Sequence, residues 1–374
     1  MNSFNLDRFQ TYLKEHGLQA ALLSNPATLT WLTGYAPPIQ TGPSPFEGGP
    51  ALGWWQDGRL TLILSDAEAG AAASTGAEIR DYLSYTIDEP TRGAQHQADA
   101  LRDVLSTTGP ITGKVGVELN FLPASMASAF HQAQPEVFVQ QLDGAFDHLR
   151  AVKSTEEIEW IKESLGLCDL AQDFVAAQAA PGISELELWG KLKAHLEVTA
   201  GMRLPILADL VAGLRTAEIG GLPSRYTLQP GDPIIADIVP RLNGYWGDNA
   251  GTHFVDEPSA QLKKIYQIVR DALRKGVEAI RPGLQASQLD QMLRGEIQNH
   301  GYPAYPHHSG HGVGVTYHEE PRLVPYNELA LAPGMVVALE PGIYEPGVGG
   351  VRLEDVVLVT PDGCQVLTRH LLNR

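Results

Sequence analysis

The sequence predicts two domains: a small α/β domain over residues 1–147, and an α+β domain over residues 148–374 built from a duplicated helix-then-strands unit. Three observations lead there. Strand-like and helix-like runs alternate through the first 147 or so residues, as in an α/β unit. Further on, Leu228-Gln229-Pro230-Gly231-Asp232 is echoed by Leu331-Ala332-Pro333-Gly334-Met335, and such self-similarity marks a repeated structural unit. Finally, Asp237 and Glu340 each lie six residues past the glycine of their copy, and each copy adds a second acid, Asp248 or Glu354.

Within the first domain, Leu6, Phe9 and Leu13 have helical spacing, and Gly17 ends the pattern in the way a glycine past a helix end does. Ala20 to Ser24 reads as a buried strand, and Thr28 to Leu32 as a short helix or a loop. Tyr35 to Pro50 is rich in Pro and Gly and reads as a surface loop. Leu52–Trp55 and Leu60–Leu64 flank Asp57-Gly58, a hairpin signal. Val115 to Glu118 reads as another strand, followed by a helix from Pro123.

In the second domain, Ser154 and Glu157 form a capping box that opens a long helix carrying Ile158, Ile161 and Leu165. Pro181-Gly182 precedes a second box at Ser184 and Glu187, and Pro282-Gly283 a third at Ser287 and Asp290. The nearly equal offsets repeat the duplication seen in the strands. Four carboxylates around a pseudo-twofold axis suit two metal ions a few Å apart better than one.

Composition narrows the classes. The 374 residues are 43% hydrophobic and 19% charged, an ordinary globular mixture long enough for two cores. A net charge of −17 argues against nucleic acid or an anionic membrane as partner. Met1 to Gln10 lacks an apolar core, and no run approaches ~20 apolar residues, so neither a signal peptide nor a membrane span is predicted. Cys168 and Cys364 form no C-x-x-C motif, which fits a reducing cytoplasm.

The chemistry-bearing motifs lie in the last 140 residues. Ionised acids are rarely buried unless paired or bound to metal, because desolvating a lone charge is costly. Asp237 ends the apolar run Ile234-Ile235-Ala236, and Glu340 ends Val336-Val337-Ala338-Leu339. Carboxylate oxygen with imidazole suits a hard or borderline cation. The run His307-His308-Ser309-Gly310-His311-Gly312 places His311 between glycines, where backbone and ligand can approach closely. Taken singly these motifs have plainer readings: a capping Asp, a turn Asp, a flexible His/Gly loop, a solvated charged turn at His318-Glu319-Glu320-Pro321-Arg322. Five in this order and spacing favour a metal site.

These residues resemble a known family. From about residue 150, the strings GHGVG, HEEPR, EPGIY and VRLED resemble the pita-bread metallopeptidases, in the branch of Xaa-Pro dipeptidases (prolidases) and Xaa-Pro aminopeptidases. The first 147 residues, with NPATLTWLTGY, resemble that branch's creatinase-like amino-terminal domain. The resemblance implies hydrolysis of the peptide bond before proline, foremost in Xaa-Pro dipeptides, by a hydroxide bridging two divalent ions. Asp237 would bind one ion, Asp248 and Glu354 both, and His311 and Glu340 the other. Four carboxylates and one imidazole favour Mn(II), with Co(II) or Zn(II) as alternatives. Glu340 would also shuttle the proton, His307 and His318 would line the cleft, and His318 would donate to the oxyanion. Arg322 would bind the substrate's carboxylate and Arg352 would orient an acid of the metal site, unless it is a surface arginine. A homodimer is implied too, with the Tyr35–Pro50 loop and Trp54 or Trp55 reaching the partner's cleft, unless the tryptophans are hairpin core. Alternatives are an aminopeptidase acting on longer peptides, a metal-free creatinase-like hydrolase, or a non-catalytic binding protein on this fold.

Two departures from the family's pattern stand out. Relatives usually carry a histidine 17 residues before the first metal-binding Asp, beside the leaving proline; here Gly220 holds that place, and Arg215 replaces an Asn. Arg215 is therefore a candidate for carboxylate recognition, with a solvated loop arginine as the alternative. After Asp248 the usual Thr-Arg-Thr is Ala250-Gly251-Thr252.

Overall fold

The computed structural model describes residues 2–39, 46, 48–107, 109 and 111–369. It divides into two compact units, Met1–Leu149 and Arg150–Arg374. Residues 40–45 and 47, the centre of the Pro/Gly loop expected to approach a partner, lie outside the described residues.

The first unit runs α1 (Ser3–Glu15), β1 (Leu18–Leu23), α2 (Pro26–Thr33), β2 (Leu52–Gln56), β3 (Arg59–Ser65), α3 (Asp66–Ala72), β4 (Glu78–Tyr82), α4 (Gly93–Thr107), β5 (Lys114–Val117), α5 (Ala124–Ala133) and β6 (Phe138–Gln141). Its mixed sheet has the order β4-β3-β2-β1-β5-β6. The β2–β3 hairpin turns at Asp57 and Gly58, both with positive φ (50° and 80°), the geometry that suits the sheet's twist. Trp54 belongs to the apolar core under this sheet and Trp55 packs edge-on against Phe9, so both are hairpin core. The short element at residues 28–32 is helix: Asn25 caps it, and buried Glu118 accepts from Ser24 N, Asn25 N and Thr28 Oγ1. A carboxylate at that end also satisfies the helix dipole.

A short helix, α6 (Asp147–Ala151), leads to the second unit. There follow α7 (Thr155–Gln178), α8 (Glu185–Ala200), β7 (Ile206–Ala212), β8 (Pro233–Leu242), β9 (Tyr245–Trp246) and β10 (Asn249–Phe254). The second copy comprises α9 (Ala260–Ala279), α10 (Ala286–Asn299), β11 (Gly310–Gly312), β12 (Val336–Leu339), β13 (Gly342–Glu345), β14 (Gly349–Arg352), β15 (Asp355–Thr360) and β16 (Gly363–Val366). One sheet has the order β10-β8-β7 and the other β11-β12-β15-β16, so each copy sets an antiparallel sheet on its own helices. Leu188, Leu192, Ile234 and Ala236 share one core, and Leu289, Leu293, Val337 and Leu339 another. The duplication extends to the backbone. Gly182 N–H donates to Leu228 O in one copy and Gly283 N–H to Leu331 O in the other, while Gly231 and Gly334 share φ near 88–89°.

Two local expectations need correction. The third capping box forms two residues earlier than expected: Gln285 and Gln288 cap α10, while Asp290 is buried and accepts from Arg294 and Ser309. Asp237 does not end a strand, because β8 continues to Leu242 before turning at Asn243-Gly244.

Candidate metal centre

The ligand candidates converge because the two sheets present matching strand positions to one cavity of about 400 Å³. Asp237 comes from the middle of β8 and Asp248 from the bend between β9 and β10. His311 comes from β11, Glu340 from the residue after β12, and Glu354 from the link between β14 and β15. All five line the cavity, with Arg352, His307 and His318. The glycines around His311 have a steric reason: a Cβ at Gly310 would overlap Ala338 O, and one at Gly312 would overlap Glu320 O.

Hydrogen bonding orients the candidate ligands. His311 Nδ1 lies 3.0 Å from Gly312 O, and a ring nitrogen facing a carbonyl must donate. Its Nε2 therefore carries the lone pair, 3.5 Å from Asp248 Oδ2 and 3.7 Å from Glu340 Oε1. Burial holds the His311 pKa well below the ordinary range, so the ring is the neutral form that metals bind. Ala250 N–H occupies Glu354 Oε2 at 2.8 Å, whereas Glu354 Oε1 is buried without a hydrogen-bond partner. Asp237 is similar: Arg352 Nη2 holds Oδ2 at 2.8 Å, and Oδ1 is buried and unpaired. Asp248, His311 and Glu354 each offer one ligand atom within 4.8 Å of the others.

Electrostatics point the same way. Burial, then Glu354, raises the Asp248 pKa well above normal; burial, then Asp237, does the same to Glu354. Burial pushes Glu340 up to about 8 against the opposing pull of Arg352. Acids packed this closely must hold protons or cations, and divalent metal would displace the protons. Orphaned buried oxygens, a preset imidazole lone pair and an oxygen-rich donor set all fit divalent ions.

The remaining predicted residues divide. His307 Nδ1 donates to His308 O, so its Nε2 accepts from Tyr344 Oη at 2.9 Å; burial keeps its pKa near 3. His318 stacks obliquely with His311, ring centroids 4.2 Å apart. Arg352 is buried within the site, joined to Asp237, which removes the surface-arginine alternative. Arg322 and Arg215 do not line the cavity. Arg322 is 57% exposed at its side chain and pairs with Glu320 at 3.0 Å. Arg215 pairs with fully buried Glu185 and donates to Ser224 Oγ and Leu222 O, so its guanidinium shapes the loop.

Several residues escaped the sequence reading. His308 lines the cavity 3.5 Å from Glu340, and Tyr344 fixes His307; both stand inside motifs already singled out. Asp209 lines the cavity from β7 with no motif to mark it. Glu319 is no solvated turn: it is buried, 2.9 Å from Lys153 Nζ and 3.8 Å from Arg150 Nε.

Comparison with known proteins agrees with this architecture. Residues 159–361 match metallopeptidase family M24, and residues 5–152 match the creatinase/prolidase N-terminal domain. The chain is 35% identical over 273 residues to an Xaa-Pro dipeptidase of Pyrococcus furiosus, covering 72% of this chain and 77% of that protein. Among solved structures, an Xaa-Pro dipeptidase from Bacillus anthracis superposes with a TM-score of 0.82 at 29% identity, covering 98% and 97% of the two chains. The prolidase from Pyrococcus furiosus gives 0.79 at 27% identity, covering 96% and 98%. The chain belongs to metallopeptidase family M24, in the pita-bread branch of the prolidases, and is an enzyme, a metallopeptidase. The family implies divalent metal ions, and the residues present fit them.

Proposed function

We propose that this enzyme hydrolyses the peptide bond before proline, foremost in Xaa-Pro dipeptides, with two divalent ions, natively Mn(II), held by Asp237, Asp248, His311, Glu340 and Glu354. The observation that carries this reading is the arrangement of His311 Nε2 and the unpaired oxygens of Asp237 and Glu354 around one cavity. Metal ions there would supply an activated water and charge to steady the oxyanion. Asp248 and Glu354 would serve both ions, Asp237 would hold one, and His311 and Glu340 would hold the other.

The chain's own groups do the rest. Glu340, within 4 Å of three imidazoles, takes the proton from water and passes it to the leaving nitrogen. His318 donates to the developing oxyanion, and His307, fixed through Tyr344, lines the substrate's path. Arg352 holds Asp237 in place. A second reading, removal of the residue ahead of proline from longer peptides, is favoured by the position of Arg322 and Arg215 outside the cavity lining. We place the enzyme in the cytoplasm as a homodimer; its two free cysteines suit a reducing compartment.

The test is a hydrolysis panel of Xaa-Pro dipeptides, Xaa-Pro-Yaa tripeptides and non-proline controls, with metal-stripped and Mn(II)-loaded protein. Metal-dependent cleavage of the proline substrates is expected. Equal cleavage of the non-proline controls would contradict the reading.

A further inference from the structure

Asp209 is the acid lining the cavity, among the described residues, that the proposed metal set does not use. It stands in β7 directly opposite Asp237 across the β7–β8 ladder. Arg352 Nη2 lies 2.8 Å from Asp237 Oδ2 but 3.6 Å from Asp209 Oδ2. The guanidinium is thus committed mainly to Asp237, and Asp209 retains acceptor capacity toward the cavity, with its side chain 38% exposed.

Gly220 and Asp209 are a matched pair. A Cβ at position 220 would overlap Asp209 Oδ2, so the carboxylate fills the space that any side chain there would need. Besides Asp237, Arg352 and the Gly221 N–H, which act on Asp209 directly, apolar side chains share its cavity. Leu207, Leu222 and Val239 line the same cavity, and Leu207 and Leu222 are exposed. An acid rimmed by accessible leucines repels a carboxylate and suits a long side chain that ends in a cation. Lysine and arginine lay their methylenes on apolar surface and keep the charged head at a polar partner.

We propose that Asp209 is a specificity-determining residue that binds the ammonium or guanidinium of a substrate's Lys or Arg side chain, with Leu207, Leu222 and Val239 taking the stem. The inference rests on the Xaa-Pro reading above and adds the substrate class. The cation can come from the residue before proline or from the one after it, and the test separates these sources.

The metal-loaded enzyme is assayed on Lys-Pro against norleucyl-Pro, and on Ala-Pro-Lys against Ala-Pro-norleucine, since norleucine keeps the stem without the charge. In at least one pair kcat/KM favours lysine by about tenfold, a typical value for one charge-assisted hydrogen bond. Asp209→Asn brings that ratio close to one, and Asp209→Glu restores part of it. Gly220→Ala, which crowds the carboxylate without removing it, also lowers the ratio and covers the case in which the Asn variant fails to fold. Metal content is measured in parallel. A wild-type ratio of one in both pairs, or a ratio unchanged in the variants, overturns the proposal. So does a uniform loss on all four peptides with the ratio kept, which would reduce Asp209 to steadying Arg352. Failure of the loaded wild type to cleave any of the four overturns the Xaa-Pro reading itself, whereas cleavage without lysine preference overturns the subsite alone.

Discussion

The two copies of the catalytic unit place an acid at the same point but set different residues opposite it. In the first copy Asp237 faces Asp209 across the ladder, and Val211 faces Ile235. In the second copy Glu340 N–H donates to Ser309 O, and His311 faces Ala338. Val211 and His311 are thus equivalent by register, one a buried apolar residue and the other a buried imidazole that lines the cavity. Duplication supplied the frame for a symmetric acid set, and divergence of the neighbouring strand placed the imidazoles on one side only. The halves are stitched by Thr252 Oγ1, which donates to Arg352 O at 2.8 Å and accepts from Arg352 N at 3.0 Å.

That division of labour can be broken by mutation. Glu354→Ala removes the acid proposed to serve both ions and is expected to lose both, with activity falling on the order of a thousandfold or more. His311→Ala removes a proposed ligand of one ion and is expected to lose only that one. Elemental analysis showing two metals per chain in Glu354→Ala would refute the assignment of that residue.

A large stability effect is expected away from the metals. Glu319 and Lys153 are buried together, and taking one charge from such a pair typically costs about 3–5 kcal/mol. Glu319→Gln should therefore lower the denaturation midpoint clearly while leaving the metal count unchanged. An unshifted midpoint would mean that the pair contributes nothing.

pH offers a gentler probe. In the metal-free protein the pKa of Glu340 is about 8, above its ordinary 4.5, so protonation favours the native state and this stability is lost as pH rises from 4.5 through 8. His307, near 3, and His308, near 4, act oppositely: stability falls as pH drops below their ordinary 6.5. Between pH 6.5 and 8 the acids dominate, and the metal-free Tm should decline. Because metals need the deprotonated acids, the rise in Tm on adding Mn(II) should be larger at pH 8 than at pH 6.5. A rise independent of pH would argue that the metals bind elsewhere.

The smallest effect is expected at Arg322. Exposed and paired with Glu320, it should contribute within about 1 kcal/mol, so Arg322→Ala changes kcat/KM on dipeptides only a few-fold. A loss of a hundredfold confined to substrates with a free carboxylate would instead place the side chain at the substrate.

The frame of this site was legible because its signals are local. Turn glycines, capping boxes and apolar runs ending in acids lie close together in sequence, and the repeat compares each half with the other. What stayed hidden depends on pairing between distant segments. Asp209 gains its meaning from a ladder partner 28 residues away, and Glu319 from Lys153, 166 residues earlier. Arg215 depends on such pairing too: its loop position said nothing of buried Glu185, which pairs with the guanidinium. Asp290 reads as a helix cap from its spacing, yet its buried partners Arg294 and Ser309 draw it inward.

The most direct measurement of the central claim is hydrolysis of an Xaa-Pro dipeptide by metal-stripped enzyme titrated with Mn(II), with bound metal counted at each point. Activity is expected to be absent at the start and to rise until two ions per chain are bound. Full turnover in protein shown to hold no metal, or a plateau reached with no ion at these five residues, would contradict the account.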